Sequence, residues 1–596
     1  MTTGNKQNPL LYLFSKTWRY SENNRKNIIL FWLMFVIAQS ISTFIRPLVV
    51  AKVIDVLSKQ GINNGSIKIL VFLVLLVVIR PMVFWMFHGP ARVMERTNAF
   101  MAKINYRRYL LKGVMTMPIE WHTEHHSGDT IDKIEKGTTG LYDFSSNSYD
   151  NIYGIVQLIG SCVMLVYISH TAIWIVLVIM AISTYITMRF DKVLIPQYHS
   201  LNKTENQISE SVFDVISNIS TVIILRVEKL VFKAIVHKIE KPVELFRKNA
   251  RLSELKWFLT SFCTNTMSGA VLAMFIWQHF GAGPGTVTGS AYILINYVDQ
   301  IAEILFQFTG AYSEVIRQKT RVVNSEELTT DFKTENFTNH ILPTDWKKLE
   351  VTGLSFSYNK GDTEPNLNNI SFAINRGERV ALIGETGSGK TTFLKIVRDL
   401  YHPQESTLMV DGQMVPNGFE GISRAITLVQ QNPEIFARTI WENVTMGAEY
   451  DKDFVLQFTD MACFTDVVEC LPKGFESSIK EKGVNLSGGQ QQRLALSRGL
   501  LACHDKDIVL LDEPTSSLDT ITGIAIYQNI FRGFKEKTII STVHQLQLLP
   551  FFDRICIFDN GQIIAFGTLT ELLTSCPKFI SLWETMQKTT VRNQIV

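Results

Sequence analysis

The stretch Gly384-Glu385-Thr386-Gly387-Ser388-Gly389-Lys390-Thr391-Thr392 follows the apolar run Arg379-Val380-Ala381-Leu382-Ile383 and precedes Phe393-Leu394-Lys395-Ile396-Val397. That order reads as strand, glycine-rich turn and helix. A phosphate-binding loop must point backbone N–H groups inward at a helix N-terminus, where the dipole is positive, and glycines let the backbone curl that tightly. Gly384, four residues, Gly389, Lys390 and Thr391 fill the Walker A pattern. The pattern assigns Lys390 to the β- and γ-phosphates of a nucleotide and the Thr391 hydroxyl to Mg²⁺.

Working outward, 596 residues are too many for one core, so two or more domains are expected. The net charge of +3 gives no reason to expect a nucleic acid partner. Long uncharged runs fill the first half, while the second alternates like a soluble α/β protein. Seven cysteines lie scattered without paired spacing, which indicates neither a zinc site nor a disulfide framework. The stretch before Ile28 is basic but lacks a short apolar core with a small-residue cleavage site, so no cleavable signal peptide is expected.

A membrane-spanning helix needs about 20 mostly apolar residues. By that criterion spans are expected near 28–51, 67–88, 148–169, 172–190, 256–279 and 289–312. The segments after the second and fourth are long and basic, carrying Arg92, Arg96, Lys103, Arg107 and Arg108 in one and Lys229, Lys233, Lys238 and Lys241 in the other. The positive-inside tendency then puts these segments, both termini and the second half of the chain in the cytosol. Both segments are expected to be helical extensions of the spans. The predicted domains are 1–321 in the membrane, a polar linker over 322–345, and 346–596 beyond it.

In the second half, strands are expected at Lys348–Tyr358, Arg379–Gly384, Ala425–Gln430, Asp507–Asp512 and Lys537–Val543. Asn560-Gly561 between two apolar runs signals a hairpin, and the pattern from Pro433 to Leu501 is that of an inserted helical subdomain. Ile508-Val509-Leu510-Leu511-Asp512-Glu513 is a buried strand ending in two carboxylates, which places them at the carboxyl edge of the sheet beside the phosphates. Asp512 is the Walker B residue supporting Mg²⁺, and Glu513 is placed to act on an attacking water as general base. His544 follows the last of these strands and lands on the same edge, where an imidazole positions Glu513, water or the γ-phosphate. Leu486-Ser487-Gly488-Gly489-Gln490 opens a further helix with small residues at its start, a second end able to receive a phosphate.

With these motifs in one chain the sequence resembles the ATP-binding cassette (ABC) transporter family, as a half-transporter of the exporter-type fold covering nearly all of its length. The resemblance implies six transmembrane helices followed by an α/β P-loop domain with a helical subdomain, with ATP and Mg²⁺ as ligands. It also implies that Ser487, Gly488, Gly489 and Gln490 complete the ATP site of a second half-transporter. Tyr358 resembles the aromatic that stacks on adenine, and Gln431 the glutamine that senses Mg²⁺. Ser516-Ser517-Leu518-Asp519 resembles the D-loop, and Glu481 the acidic residue of the loop before the signature, with Lys480 where glycine is common. Residues 118–129 and 211–226 resemble the two loops that carry coupling helices. The intact motif set favours a homodimer over a heterodimer with a partner carrying defects. An importer on the same fold, as in siderophore uptake, and an ATP-gated channel or regulator stay open as alternatives to export of an amphipathic molecule, lipid or peptide.

Asp299 and Glu303 stand one turn apart in the sixth span. Carboxylates at membrane depth line a cavity or pair, so either they meet a cationic substrate or they pair with Arg80 of the second span. His122, His125 and His126 lack partnering Cys or acid spacing and read as packing residues rather than metal ligands. A bacterial inner membrane is the expected location.

Overall fold

The structure is a computed structural model that describes residues 8–280, 288–332, 342–358, 365–431, 434–479, 486–581 and 583–584. The chain divides into two compact units, residues 1–117 with 121–334, and residues 335–596 with 118–120.

The first unit is helical. In chain order it runs α1 (Pro9–Tyr20), α2 (Arg25–Gln60), α3 (Ser66–Met115), the short α4 (Ile119–Glu124), α5 (Ser127–Ser146), α6 (Ser148–Ile168), α7 (His170–Ser217), the short α8 (Ile219–Ile224), α9 (Glu228–Glu240), α10 (Val243–Gln278) and α11 (Thr288–Glu326). Five helical stretches among the described residues are long and apolar enough to cross a membrane, and they contain the first five expected spans. The sixth expected span falls within α11, which is amphipathic rather than uniformly apolar. Leu294, Tyr297, Val298, Ile301 and Leu305 are buried on one face, while Asp299 and Glu303 are exposed on the other. The basic segments are helical continuations: α3 is 50 residues and α7 is 48 residues long. The two short helices α4 and α8 occupy the positions of the expected coupling helices.

Two sequence readings change here. The segment read as linker from 322 is still helix through Glu326, because Val322 and Ser325 are buried against the bundle and Tyr106 hydrogen-bonds Ser325 at 2.7 Å. Residues 333–341 lie outside the described residues. Arg80 pairs with neither carboxylate of α11: its Nη1 donates to Ser42 Oγ at 3.2 Å, while Ser268 Oγ donates to Asp299 Oδ1 at 2.9 Å and Gln307 to Glu303 at 3.1 Å. Among the described residues the two carboxylates take neutral partners, while Arg80 has the Ser42 contact and a buried Nε without a hydrogen-bond partner. His125 stacks on Trp121 with ring centroids 4.2 Å apart, as a packing residue does, and no group of three or more metal-ligating side chains occurs among the described residues.

An ion pair does close inside the bundle where sequence spacing gave no hint of it. Lys256 Nζ of α10 donates to Asp191 Oδ1 of α7 at 3.0 Å and to Thr309 O of α11 at 3.2 Å, and Ser313 Oγ donates to the same carboxylate oxygen at 3.2 Å. Both charged side chains are buried.

The second unit holds two sheets. A four-stranded antiparallel sheet has the order β2 (Leu367–Asn375), β1 (Lys348–Phe356), β4 (Glu405–Val410), β5 (Gln413–Met414). A six-stranded sheet has the order β10 (Gln562–Gly567), β9 (Arg554–Asp559), β3 (Arg379–Ile383), β8 (Thr538–Thr542), β7 (Ile508–Leu511), β6 (Ile426–Val429). All its pairings are parallel except the β9–β10 hairpin. Strands β7 and β8 are buried at every position, which is why they read as unbroken apolar runs rather than alternating ones. Asn560 and Gly561 both take positive φ (45° and 74°), the two-residue turn their dipeptide predicts.

Helix α12 (Lys390–Val397) packs Phe393, Leu394, Ile396 and Val397 into a core between the two sheets. The opposite face of the larger sheet is covered by α13 (Ile440–Thr445), α14 (Lys452–Met461), α15 (Thr465–Glu469), α16 (Gly488–Ala502) and α17 (Thr520–Gly533), with α18 (Leu569–Ser575) near the end of the chain. Breaking the buried pair tests the bundle: Lys256→Met strands Asp191 without a counter-charge, a loss of roughly 3–5 kcal/mol. The expected outcome is a clearly lowered thermal midpoint in detergent, most of which returns in the double variant Asp191→Asn, Lys256→Met.

Candidate nucleotide-binding site

The loop after β3 is shaped by contacts only glycine tolerates. Gly384 has φ +150°, and a Cβ there would come within 2.3 Å of the Phe558 carbonyl oxygen of β9. At Gly389, with φ +104°, a Cβ would meet Leu367 at 2.7 Å. Gly561 of the hairpin turn donates its N–H to Ser388 O at 3.1 Å, so the turn buttresses the loop from outside. Lys390 opens α12 and folds back over the loop, donating to Gly384 O at 2.8 Å and Glu385 O at 2.9 Å. Burial holds its pKa below the ordinary lysine value, with the Glu513 and Asp512 carboxylates acting in the opposite sense.

The two acids end β7 and have different surroundings. Asp512 is buried, and its Oδ1 accepts from Thr542 Oγ1 at 2.9 Å and Thr391 Oγ1 at 3.2 Å. Burial raises its pKa above the usual carboxylate range against the pull of those two bonds. Glu513 takes a left-handed backbone, φ 48°, which is costly for a residue with a side chain and is found at functional turns. Its N–H donates to Thr542 Oγ1 at 2.7 Å. Its carboxylate is held by His544 Nε2 on one oxygen and Gln431 Nε2 on the other. Thr391, Asp512 and the Gln431 amide supply hard oxygen donors of the kind Mg²⁺ takes, and a buried carboxylate beside a hydroxyl fits such a cation.

Lys390, Thr391, Gln431, Glu513 and His544 line a cleft of about 850 Å³. Thr386, Gly387, Gly389, Lys390, Thr391 and Thr392 form its floor, with Gln431, Glu513, Ser516 and His544 at one side and Asn560 and Gly561 at another. Gly384, Glu385 and Ser388 shape the loop from behind. Tyr358 stands beside the cleft, its hydroxyl donating to Thr392 Oγ1 at 3.4 Å and its ring edge-on to Tyr401. Ser487, Gly488, Gly489 and Gln490 do not join them. They begin α16 with a reciprocal cap, Ser487 N–H to Gln490 Oε1 at 2.9 Å and Gln490 N–H to Ser487 Oγ at 3.3 Å, away from this chain's own P-loop. Glu481 and Lys480 lie outside the described residues. Asp299 and Glu303 are exposed on α11 of the other unit.

Two positioning residues escaped sequence reasoning. Thr542 ends β8 and bonds both acids, and the only sequence signal was its place two residues before His544. Gln492, buried in α16, donates to Glu513 O at 3.1 Å and Ser516 Oγ at 3.1 Å and accepts from Ser517 N–H at 2.9 Å. It ties the signature helix to the acid turn, and its position in a Gln-Gln-Gln run hid it.

A glycine-rich loop between a parallel strand and a helix, facing a carboxylate pair at the sheet's carboxyl edge, defines a P-loop nucleotide-binding domain, here in a chain with long apolar helices. Two family models match this chain: the ABC transporter model over residues 367–516 and the ABC transporter transmembrane region over residues 29–293. The chain belongs to the ABC transporter family. It is 23% identical over 594 residues to the uncharacterized ABC transporter ATP-binding protein YfiC of Bacillus subtilis, covering 96% of this chain and 93% of that one. It is 26% identical to a mitochondrial iron-sulfur clusters transporter of Kluyveromyces lactis, covering 79% of this chain and 66% of that protein. An uncharacterized ABC transporter ATP-binding protein of Haemophilus influenzae is 29% identical, and the match spans 53% of its length and 54% of this chain. A solved bacterial Atm1-family ABC exporter with ATP bound has the same fold, with TM-score 0.82 at 19% identity over 94% of this chain and 99% of that one.

The geometry makes two substitutions informative. Thr542→Val removes an acceptor from the Glu513 amide and a donor from Asp512. With bonds to charged groups at about 1.5–3 kcal/mol, ATP hydrolysis by the purified chain is expected to fall roughly 10- to 100-fold, more in kcat than in KM. Gly384→Ala places a methyl against the Phe558 carbonyl, and nucleotide binding measured by fluorescence is expected to be lost.

Proposed function

We propose that the chain is one half of an ATP-driven membrane transporter that works as a dimer and exports an amphipathic or hydrophobic small molecule, lipid or peptide by alternating access. One observation carries this reading: the capped helix start at Ser487–Gln490 does not line the P-loop cleft of its own chain. A helix start of this kind is an anion-receiving end, and a second copy offers the phosphate it has no access to in its own chain. Because Lys390, Asp512, Glu513, His544 and the signature all occur in one chain, two identical copies suffice, and a homodimer is the assembly proposed.

In this reading two chains close over two ATP molecules. Tyr358 stacks on the adenine. The N–H groups of Gly387 to Thr391 and the Lys390 ammonium hold the phosphates. Bound Mg²⁺, held by Thr391, Asp512 and Gln431, supplies charge neutralisation on the phosphate oxygens. Glu513 takes the proton of the attacking water, and His544 and Gln431 orient its carboxylate for that step. Closure is favoured by nucleotide because only the closed state contacts it from both chains, the differential affinity a conformational switch requires. The basic segments after the second and fourth spans put the cassette and both termini on the cytosolic side, and a bacterial inner membrane is the proposed location.

Asp299 and Glu303 of α11 supply the proposed substrate contact. They form no ion pair among the described residues and are spaced one helical turn apart on an exposed face, so the favoured substrate carries positive charge. The relatives' own names differ in this respect, an ATP-dependent lipid A-core flippase of Idiomarina loihiensis among them (36% identical over 37% of this chain). None of those substrates is transferred to this chain.

In lipid nanodiscs the wild-type chain alone is expected to hydrolyse ATP, and Glu513→Gln to lower the rate by about two to four orders of magnitude with ATP binding retained. A rate within severalfold of wild type removes Glu513 from the role of base. Asp299→Asn with Glu303→Gln is expected to abolish stimulation of hydrolysis by a cationic amphiphile. Stimulation that survives the double change shows that the cation binds elsewhere.

A further inference from the structure

Opposite the nucleotide cleft, the larger sheet carries a second concave site. Strands β3, β8 and β7 are neighbours in the sheet. Their carboxyl ends lead into the P-loop, His544 and the acid pair. Their amino ends are fed by three segments: the turn holding Arg376, the connection holding Lys506 and Asp507, and residues 532–537, which run from the last turn of α17 into the connection to β8. Together these segments border an open concavity of about 330 Å³ in which Arg376, Arg532 and Lys535 are exposed.

The lining of that pocket is strongly cationic. Arg376, Lys506, Arg532, Lys535 and Lys537 face it against only Asp507 and Glu536. A Lys-Glu-Lys run on its own is ordinarily a solvated face, but here it is joined by Arg376, from a turn well over a hundred residues earlier, and by Lys506. Lys537 is built into the wall, donating to the carbonyl oxygens of His504 and Lys506, and burial lowers its pKa from the ordinary lysine value. Lys506 has Asp505 at 3.1 Å. Arg376, Arg532 and Lys535 have no ion pair and no side-chain hydrogen bond among the described residues.

We propose that this pocket binds a small polyanion of clustered phosphates, such as a free oligophosphate. Like charges gathered in a concavity repel one another and raise the local concentration of anions, so an anion with several charges relieves the repulsion that one with a single charge leaves. Two arginines supply planar forks that match phosphate oxygens. The volume is at the lower end of that of small-ligand sites, suited to a free anion rather than a folded partner. The site shares no residue with the nucleotide cleft and stands about one strand length from it, roughly 15 Å. Its occupancy is therefore separable from ATP binding and from every role assigned above.

Calorimetric titration of sodium tripolyphosphate into the full chain in nanodiscs tests the site. The Glu513→Gln background, with saturating ATP and excess Mg²⁺ at low ionic strength, keeps the nucleotide cleft filled. One tripolyphosphate per chain is expected to bind. Adding Arg532→Glu and Lys535→Glu is expected to weaken it by about tenfold or more, with an unchanged thermal midpoint reporting intact folding. The charge-matched control Lys452→Glu with Lys473→Glu, placed elsewhere on the domain, is expected to retain the binding. Absence of binding beyond the filled nucleotide cleft overturns the proposal. Equal weakening by both reversals overturns it too, because it shows a response to net charge rather than to this pocket.

Discussion

The Thr542 hydroxyl donates to Asp512 and accepts from the Glu513 amide, and through those two bonds the ends of β7 and β8 are held in register. The arrangement around it depends on that junction. Asp512 is kept against Thr391, at the start of the P-loop helix. Glu513 is turned out in a left-handed conformation so that its carboxylate reaches His544 and Gln431. The strain of that backbone is sustained because four elements, β6, β7, β8 and α16, fix the turn from different sides. Without a parallel sheet the four would not meet, since only parallel order brings successive strand ends to one edge.

The signature helix is linked to this junction without contributing to the cleft. Gln492 binds the acid turn and Ser516–Ser517, while the start of the same helix, two to five residues earlier, does not line the cleft. A buried glutamine thus joins this helix to the turn that carries Glu513.

In the helical unit, polar groups divide by how they are satisfied. Asp191 and Lys256 are buried and joined across three helices, where a lone charge would be strongly destabilising. Asp299 and Glu303 remain on an exposed face with only short neutral partners. The first pair serves packing, and the second leaves charge available. The amphipathic pattern of α11 is what a helix shows when only one of its faces belongs to the bundle.

Much of this was legible in the linear sequence because the responsible forces are local. Glycines at 384, 387 and 389, the apolar runs of β3, β7 and β8, the Asn-Gly turn and the first five apolar helices each follow from backbone sterics and burial over a few residues and appear where they were expected, whereas the sixth expected span is the amphipathic α11. The four-stranded sheet was only partly foreseen: β2, the next strand after β1, was not read from the sequence, and β4 finds its place by pairing with β1 across a long stretch of chain. The helical extent of residues 322–326, the Asp191–Lys256 pair, the partner of Arg80, and the parts played by Thr542 and Gln492 were settled by tertiary structure alone. Each is a contact between residues far apart in the chain, and no local propensity encodes which distant side chain a hydroxyl, an amide or an ammonium will meet.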